Sequence, residues 1–228
     1  MGQPCYRNGV VYVGSAQGVN VSPGVYRDGI VVAFEANTGN VLWTKIIPPP
    51  DSSIIGYANW KLLNDNEIQA PPVPTNDGVI IEPGFCVALM DSTGTLLWRS
   101  APNVNGGFSP YDAQPIMLNK DLYGLNVGNG YFFTYALDPE TGAIHWAKHA
   151  INLSATSNFA SPIIDSNNFY TFSDADELFG QSLTDGSRTL YAPLVPDSEG
   201  YPAIHPFLVR GKRVYYQTYG NIMCLERK

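Results

Sequence analysis

The chain has 228 residues and a formal net charge of −7, with 14% charged and 44% hydrophobic residues, 22 glycines and 18 prolines. That is long enough to bury a sizeable core as one domain, too apolar for a disordered chain, and too acidic to suit a nucleic-acid backbone as partner. No apolar run approaches the roughly 18 residues of a membrane span, and the first residues lack the basic-then-apolar order of a signal peptide.

Taken in chain order, short runs rich in Val, Ile, Tyr and Phe at 10–13, 30–34, 79–81, 169–172 and 214–216 are bounded by turn residues. They are too short for helices and predict strands. One motif returns between them. Ala33, Glu35, Thr38, Gly39 and Trp43 form its first copy, and Ala88, Asp91, Thr93, Gly94 and Trp98 the second. Ala136, Asp138, Thr141, Gly142 and Trp146 form the third and cleanest. A fourth copy, Gly180, Ser182, Asp185 and Gly186, has Tyr191 near the tryptophan position, and a fifth begins at Cys224 and Glu226. Each Thr-Gly pair predicts a hairpin turn, because Asp and Thr side chains bond local amides and glycine accepts positive φ. The tryptophan that follows is large enough to cover that turn and the edge of a neighbouring unit.

A second marker keeps phase with the first. A proline preceding an apolar residue occurs at Pro4, Pro72, Pro115, Pro162 and Pro206, and the last three trail Trp98, Trp146 and Tyr191 by 15 to 17 residues. The turn glycines at 39, 94, 142 and 186 lie 55, 48 and 44 residues apart. Short strands at that period are what β-propeller blades produce. The division expected is a single propeller with blades at about 1–46, 70–100, 113–148, 160–192 and 204–228 and an insertion at 47–69. That insertion contains Trp60 and is the candidate partner-binding or lid loop.

Several polar and sulfur-bearing residues fit this frame. Gln3, Gln114, Ser161 and His205 immediately precede the marker prolines and predict a polar ring lining an axial channel. Cys5, Cys86 and Cys224 have neither metal-ligand spacing nor a disulfide framework and read as buried free thiols. His145 and His149 flank Trp146 and read as an exposed edge rather than a metal pair. Asp174, Asp176 and Glu177 read as a solvated loop, and Arg210, Lys212, Arg213, Arg227 and Lys228 as a solvated basic edge. The strand at 222–225 has no outer neighbour in the repeat pattern, so a protein partner or a second copy is expected to cover it.

The repeated motif resembles the tryptophan-docking motif of the quinoprotein propellers, Ala-x-Asp-x-x-Thr-Gly-x-x-x-Trp, over essentially the whole chain. The resemblance implies an all-β propeller of four full four-stranded blades plus a partial fifth, with Trp43, Trp98 and Trp146 as docking residues. It also suggests a periplasmic or extracellular setting. The family includes alcohol dehydrogenases carrying pyrroloquinoline quinone and calcium, and non-catalytic scaffolds that assist outer-membrane protein assembly. In the dehydrogenases the ion polarises the quinone and an aspartate takes the alcohol proton.

Carried over residue by residue, the position of the family's glutamate holds Gln17, an amide that can coordinate but lacks the charge that favours a hard cation. The family's Thr-Gly-Asn is replaced by Ile81, Glu82, Pro83 and Gly84, while Asn129 stands in a similar stretch one repeat later. Asp112 is the one matching acid, as base and metal ligand. The reading is therefore a non-catalytic binding or scaffold module without cofactor. The alternative is an alcohol dehydrogenase, or a fragment of one, dependent on pyrroloquinoline quinone and calcium.

Overall fold

Nineteen strands supply the regular structure of the described residues. These residues are 3–16, 29–47, 68, 70–83, 87–100, 114–128, 131–152, 163–172, 177–193, 204–217 and 221–226 of a computed structural model. The first antiparallel sheet joins β1 (Cys5–Arg7), β2 (Val10–Ala16), β3 (Gly29–Glu35) and β4 (Val41–Ile47) in chain order. The second joins β5 (Val73–Pro74), β6 (Gly78–Ile81), β7 (Val87–Asp91) and β8 (Leu96–Ser100). The third contains β9 (Ile116–Leu118), β10 (Asp121–Gly128), β11 (Tyr131–Leu137) and β12 (Ile144–Asn152). The fourth contains β13 (Ile163–Ile164), β14 (Asn168–Phe172), β15 (Glu177–Ser182) and β16 (Arg188–Pro193). The fifth has three strands, β17 (Ile204–Arg210), β18 (Arg213–Gln217) and β19 (Ile222–Glu226). Each sheet is a chain-order meander, the blade of a β-propeller, and each of the five expected apolar runs lies in a strand.

The first strands of neighbouring blades meet, β1 against β5 and β13 against β17, as inner strands around an axis do. Of the four marker prolines that are described, Pro206 lies inside β17, at the register irregularity between Ile204 and Leu208, while Pro4, Pro72 and Pro115 directly precede β1, β5 and β9. A residue without an N–H is tolerated there because it removes no donor from the ladder.

Alternation along the strands builds the seams between blades. Tyr12, Val31 and Ala33 of blade 1 pack with Val79, Ile81, Ala88 and Met90 of blade 2 in one cluster. The intervening residues of blade 2, Ile80, Val87 and Leu89, turn the other way and pack with Leu122, Tyr135 and Leu137 of blade 3. Blade 2 is thus buried on both faces, which is why β6 is buried throughout and reads as an unbroken apolar run. In blade 1, β3 instead alternates between buried and half-buried residues. Tyr170 of blade 4 packs with Val214 and Tyr216 of blade 5 in a third cluster.

Of the expected insertion at 47–69, Ile47 proves to be the last residue of β4, and Ile68 is the other residue described. Ile68 is fully buried in the seam between blades 1 and 2, where its N–H reaches Ser15 C=O at 3.4 Å. Gly14 has no side chain because Ile68 lies over it, with a Cβ there falling 2.3 Å from Ile68 Cγ2. Trp60 lies outside the described residues.

Candidate functional site

The turns of blades 1, 3 and 4 share one construction. Glu35 N–H donates to Asn40 C=O and Gly39 N–H to Glu35 C=O, both at 2.8 Å. Asp138 and Gly142 repeat these bonds with Ala143 C=O and Asp138 C=O at 2.9 and 2.8 Å, as do Ser182 and Gly186 in blade 4. The turn of blade 2 is one residue tighter, with Gly94 N–H donating to Asp91 C=O at 3.0 Å. Asp91 Oδ1 accepts from the amides of Thr93 and Thr95 at 2.8 Å, and Asp138 Oδ1 accepts from Glu140 N–H at 2.7 Å. These backbone donors hold both carboxyls below their ordinary range, that from Thr95 leading at Asp91 and that from Glu140 at Asp138.

Each docking tryptophan reaches the turn of the next blade. The indole N–H of Trp43 donates to Ser92 C=O at 2.8 Å, that of Trp98 to Pro139 C=O at 3.2 Å, and that of Trp146 to Leu183 C=O at 3.0 Å. In all three the acceptor is the residue after the position that opens the turn, Asp91, Asp138 or Ser182. The rings lie over the turn glycines, so that a Cβ on Gly94, Gly142 or Gly186 would stand 3.0, 2.6 or 2.7 Å from a ring carbon. Lys45, Ser100 and Lys148, each two residues beyond its tryptophan, flank the same glycines, and Ser100 Oγ donates to Gly142 C=O.

Gly142 and Gly39 provide a matched test, since their φ values are 71° and 73° and nothing stands within 4 Å of Gly39's Cβ position among the described residues. Alanine carries the same left-handed backbone cost at both sites. Gly142→Ala is expected to lose roughly 1 to 3 kcal/mol more than Gly39→Ala because the methyl overpacks the Trp98 ring. Denaturant unfolding of the two variants measures the difference.

The register of the repeat varies between blades, and in blade 4 it differs from the sequence reading. The tighter turn places Leu89, not Ala88, opposite Trp98, whereas Ala33 and Ala136 do face Trp43 and Trp146. In blade 4 the bulge that accompanies each tryptophan moves away from Gly180, which faces Thr189. Tyr191 falls in the displaced bulge, between Leu190 and Ala192, and does not occupy the tryptophan register.

The expected cofactor and channel residues are distributed as follows. Gln17, Asp112, Asn129 and Ser161 lie outside the described residues. Gln3 and Gln114 are exposed and stand ahead of β1 and β9, while His205 lies on β17. His145 is exposed, with Nδ1 3.3 Å from Asp121 Oδ1, and His149 is on β12. Among the described residues no group of three His, Cys, Asp or Glu could hold a metal ion. Cys5 is a half-buried free thiol whose pKa burial pushes up to about 11. Cys224 is also free but exposed, contrary to the buried thiol expected, because β19 turns residues 222, 224 and 226 outward. Cys86 is outside the described residues, as are Asp174 and Asp176, whereas Glu177, expected in the same loop, is the first residue of β15 and pairs with Pro193.

A functional group missed from sequence lies in the seam between blades 2 and 3. Glu82, directly after β6, is buried, and its Oε1 accepts a hydrogen bond from the hydroxyl of Tyr135 on β11. Burial pushes Glu82 up to about 8, against a smaller lowering by the Tyr135 bond. Burial also raises Tyr135 well above the ordinary phenol value. Gly124 admits the ring, since a Cβ there would fall 2.0 Å from the Tyr135 hydroxyl. The sequence signals were a carboxylate closing an unbroken apolar run and a glycine inside a strand.

Glu82 stands where the quinoprotein resemblance calls for an asparagine ligand. A buried carboxyl whose Oε1 already accepts from the Tyr135 hydroxyl does not present the exposed oxygens that a hard cation needs. The described residue at that position therefore does not fit the quinone–calcium group.

The comparisons with known proteins agree with the propeller blades. The model of a family described as outer membrane protein assembly factor BamB matches residues 27–228. The chain belongs to this family. No curated protein matches the sequence at a significant level. Among solved structures, the quinohemoprotein alcohol dehydrogenase from Comamonas testosteroni is similar with a TM-score of 0.62 and 13% identity, over 99% of this chain and 41% of that one. The computationally designed Ika8 protein gives 0.58 and 10% identity, over 98% of this chain and 57% of that one. The BamB of Moraxella catarrhalis gives 0.39 and 12% identity, over 89% of this chain and 69% of that one. The chain thus spans less than two thirds of the first two structures, and its likeness to them is one of fold. The same fold occurs in a dehydrogenase and in a computationally designed protein, so catalysis does not follow from it.

Proposed function

We propose that the chain is a non-catalytic propeller that binds protein, taking a partner's strand onto the free edge of β19. The observation that carries this reading is the state of that strand. Among the described residues β19 pairs with β18 alone, and its exposure alternates, with Ile222 82% exposed. An unpaired strand with an apolar outward residue is a template for strand addition, and proteins usually cover such an edge. The family's description as an outer membrane protein assembly factor supports a protein partner and an extracytoplasmic setting. The commitment of Glu82 to Tyr135 supports the absence of a quinone site.

Hydrogen exchange tests the edge. The amides of Ile222–Glu226 are expected to exchange rapidly in the dilute isolated chain and to become protected on assembly. Protection that grows with the concentration of this chain alone would identify a second copy as the partner. Strong protection in the isolated monomer would refute strand addition. Titration with pyrroloquinoline quinone and calcium separates the dehydrogenase reading, which requires a stoichiometric, calcium-dependent absorbance change.

A further inference from the structure

The turn of blade 1 has the hydrogen bonds of the turns of blades 3 and 4 and the left-handed glycine of all the docking turns, but a different surrounding. Gly94, Gly142 and Gly186 are buried beneath indole rings, whereas Gly39 is exposed. The adjoining sheet face differs in the same way. Opposite the tryptophan register, Val32 and Phe34 of blade 1 correspond to Ala88 and Met90 of blade 2 and to Tyr135 and Leu137 of blade 3. The latter four are buried against the preceding blade. Val32 and Phe34, with Val13 and Val11 paired to them across the ladder, form an apolar face that is half-buried.

We propose that this face of blade 1 docks the outer strand of a further blade of the same repeat class. A tryptophan of that strand rests on Gly39, and its indole N–H donates to the carbonyl of Ala36, the residue after Glu35. The residue two positions beyond the tryptophan, Lys or Ser in the filled copies, flanks the glycine. A second copy of this chain does not meet the requirement with Trp43, Trp98 or Trp146, because each is already seated on a turn of its own chain. The occupant is therefore a blade with an unseated tryptophan. This assignment is independent of strand addition at β19.

The probe is a synthetic peptide copying β12, Ile144–Asn152, titrated into the isotope-labelled full chain, beside the same peptide carrying Trp146→Ala. The amide resonances of Ala36, Gly39 and Asn40 are expected to shift saturably with the tryptophan peptide. Affinity is expected to fall about tenfold or more with the alanine peptide, since a single buried aromatic anchor dominates such contacts. Gly39→Ala, which places a methyl where the ring rests, should weaken binding of the tryptophan peptide as much. Absence of shifts at these amides, equal binding of the two peptides, or shifts confined to β19 would overturn the assignment.

Discussion

Trp146→Ala is expected to lower the unfolding free energy by about 3 to 5 kcal/mol, the range for truncating a large buried aromatic. Trp146 is 6% exposed, packs against Tyr123 at a centroid distance of 6.3 Å, covers Gly186 and donates to Leu183 C=O. Truncation removes ring contacts from two blades at once and leaves the Leu183 carbonyl without its donor. Trp43, which is less buried and packs on Tyr12 at 6.0 Å, should cost less when truncated. Trp146→Phe separates the two contributions, because it retains most of the ring and forfeits a hydrogen bond worth about 1 kcal/mol. Denaturant unfolding of the three variants supplies the ranking. If Trp43→Ala proved as costly as Trp146→Ala, burial of the docking ring would not be the source of the stability.

The docking tryptophans were legible because two independent signals, residue size and a constant distance from a turn glycine within this one chain, agree in three copies. Register was less legible. A turn shortened by one residue puts Leu89 rather than Ala88 opposite Trp98, and a displaced bulge takes Tyr191 out of the docking register. Both depend on how hydrogen bonds are laid across a strand pair, which composition does not specify. Cys224 reads as a small apolar residue and was expected inside, yet period-two alternation on β19 sets it outward. The Glu82–Tyr135 contact joins residues 53 apart in sequence across a blade seam. Neither half shows its partner until two sheets are stacked, since Glu82 follows β6 and Tyr135 lies on β11. The quinone-site candidates Gln17, Asp112 and Asn129 follow from motif resemblance alone, and all three lie outside the described residues.

The Glu82–Tyr135 pair makes stability depend on pH in a direction opposite to that of most carboxylates. Glu82 is raised from an ordinary 4.5 to about 8, so between those values the folded chain retains a proton that the unfolded chain releases. The unfolded state then binds fewer protons, and stability falls as pH rises. The contribution is fully present below about pH 4.5 and is lost as pH climbs through about 8. Each pH unit between the two values is worth about 1.4 kcal/mol, so the loss is roughly 3 to 5 kcal/mol for a fully buried group. Glu82→Gln keeps an acceptor for the Tyr135 hydroxyl and carries no charge at any pH. Thermal unfolding across this range should therefore show a falling melting temperature for the natural chain and a much flatter profile for Glu82→Gln. Tyr135→Phe removes the donor and leaves a buried carboxyl oxygen unpaired, at a cost of about 1 to 3 kcal/mol. Because the lost bond favours the ionised carboxylate, Tyr135→Phe should also extend the falling part of the profile to higher pH. Parallel profiles for the natural chain and Glu82→Gln would show that Glu82 is not the group that titrates in this seam.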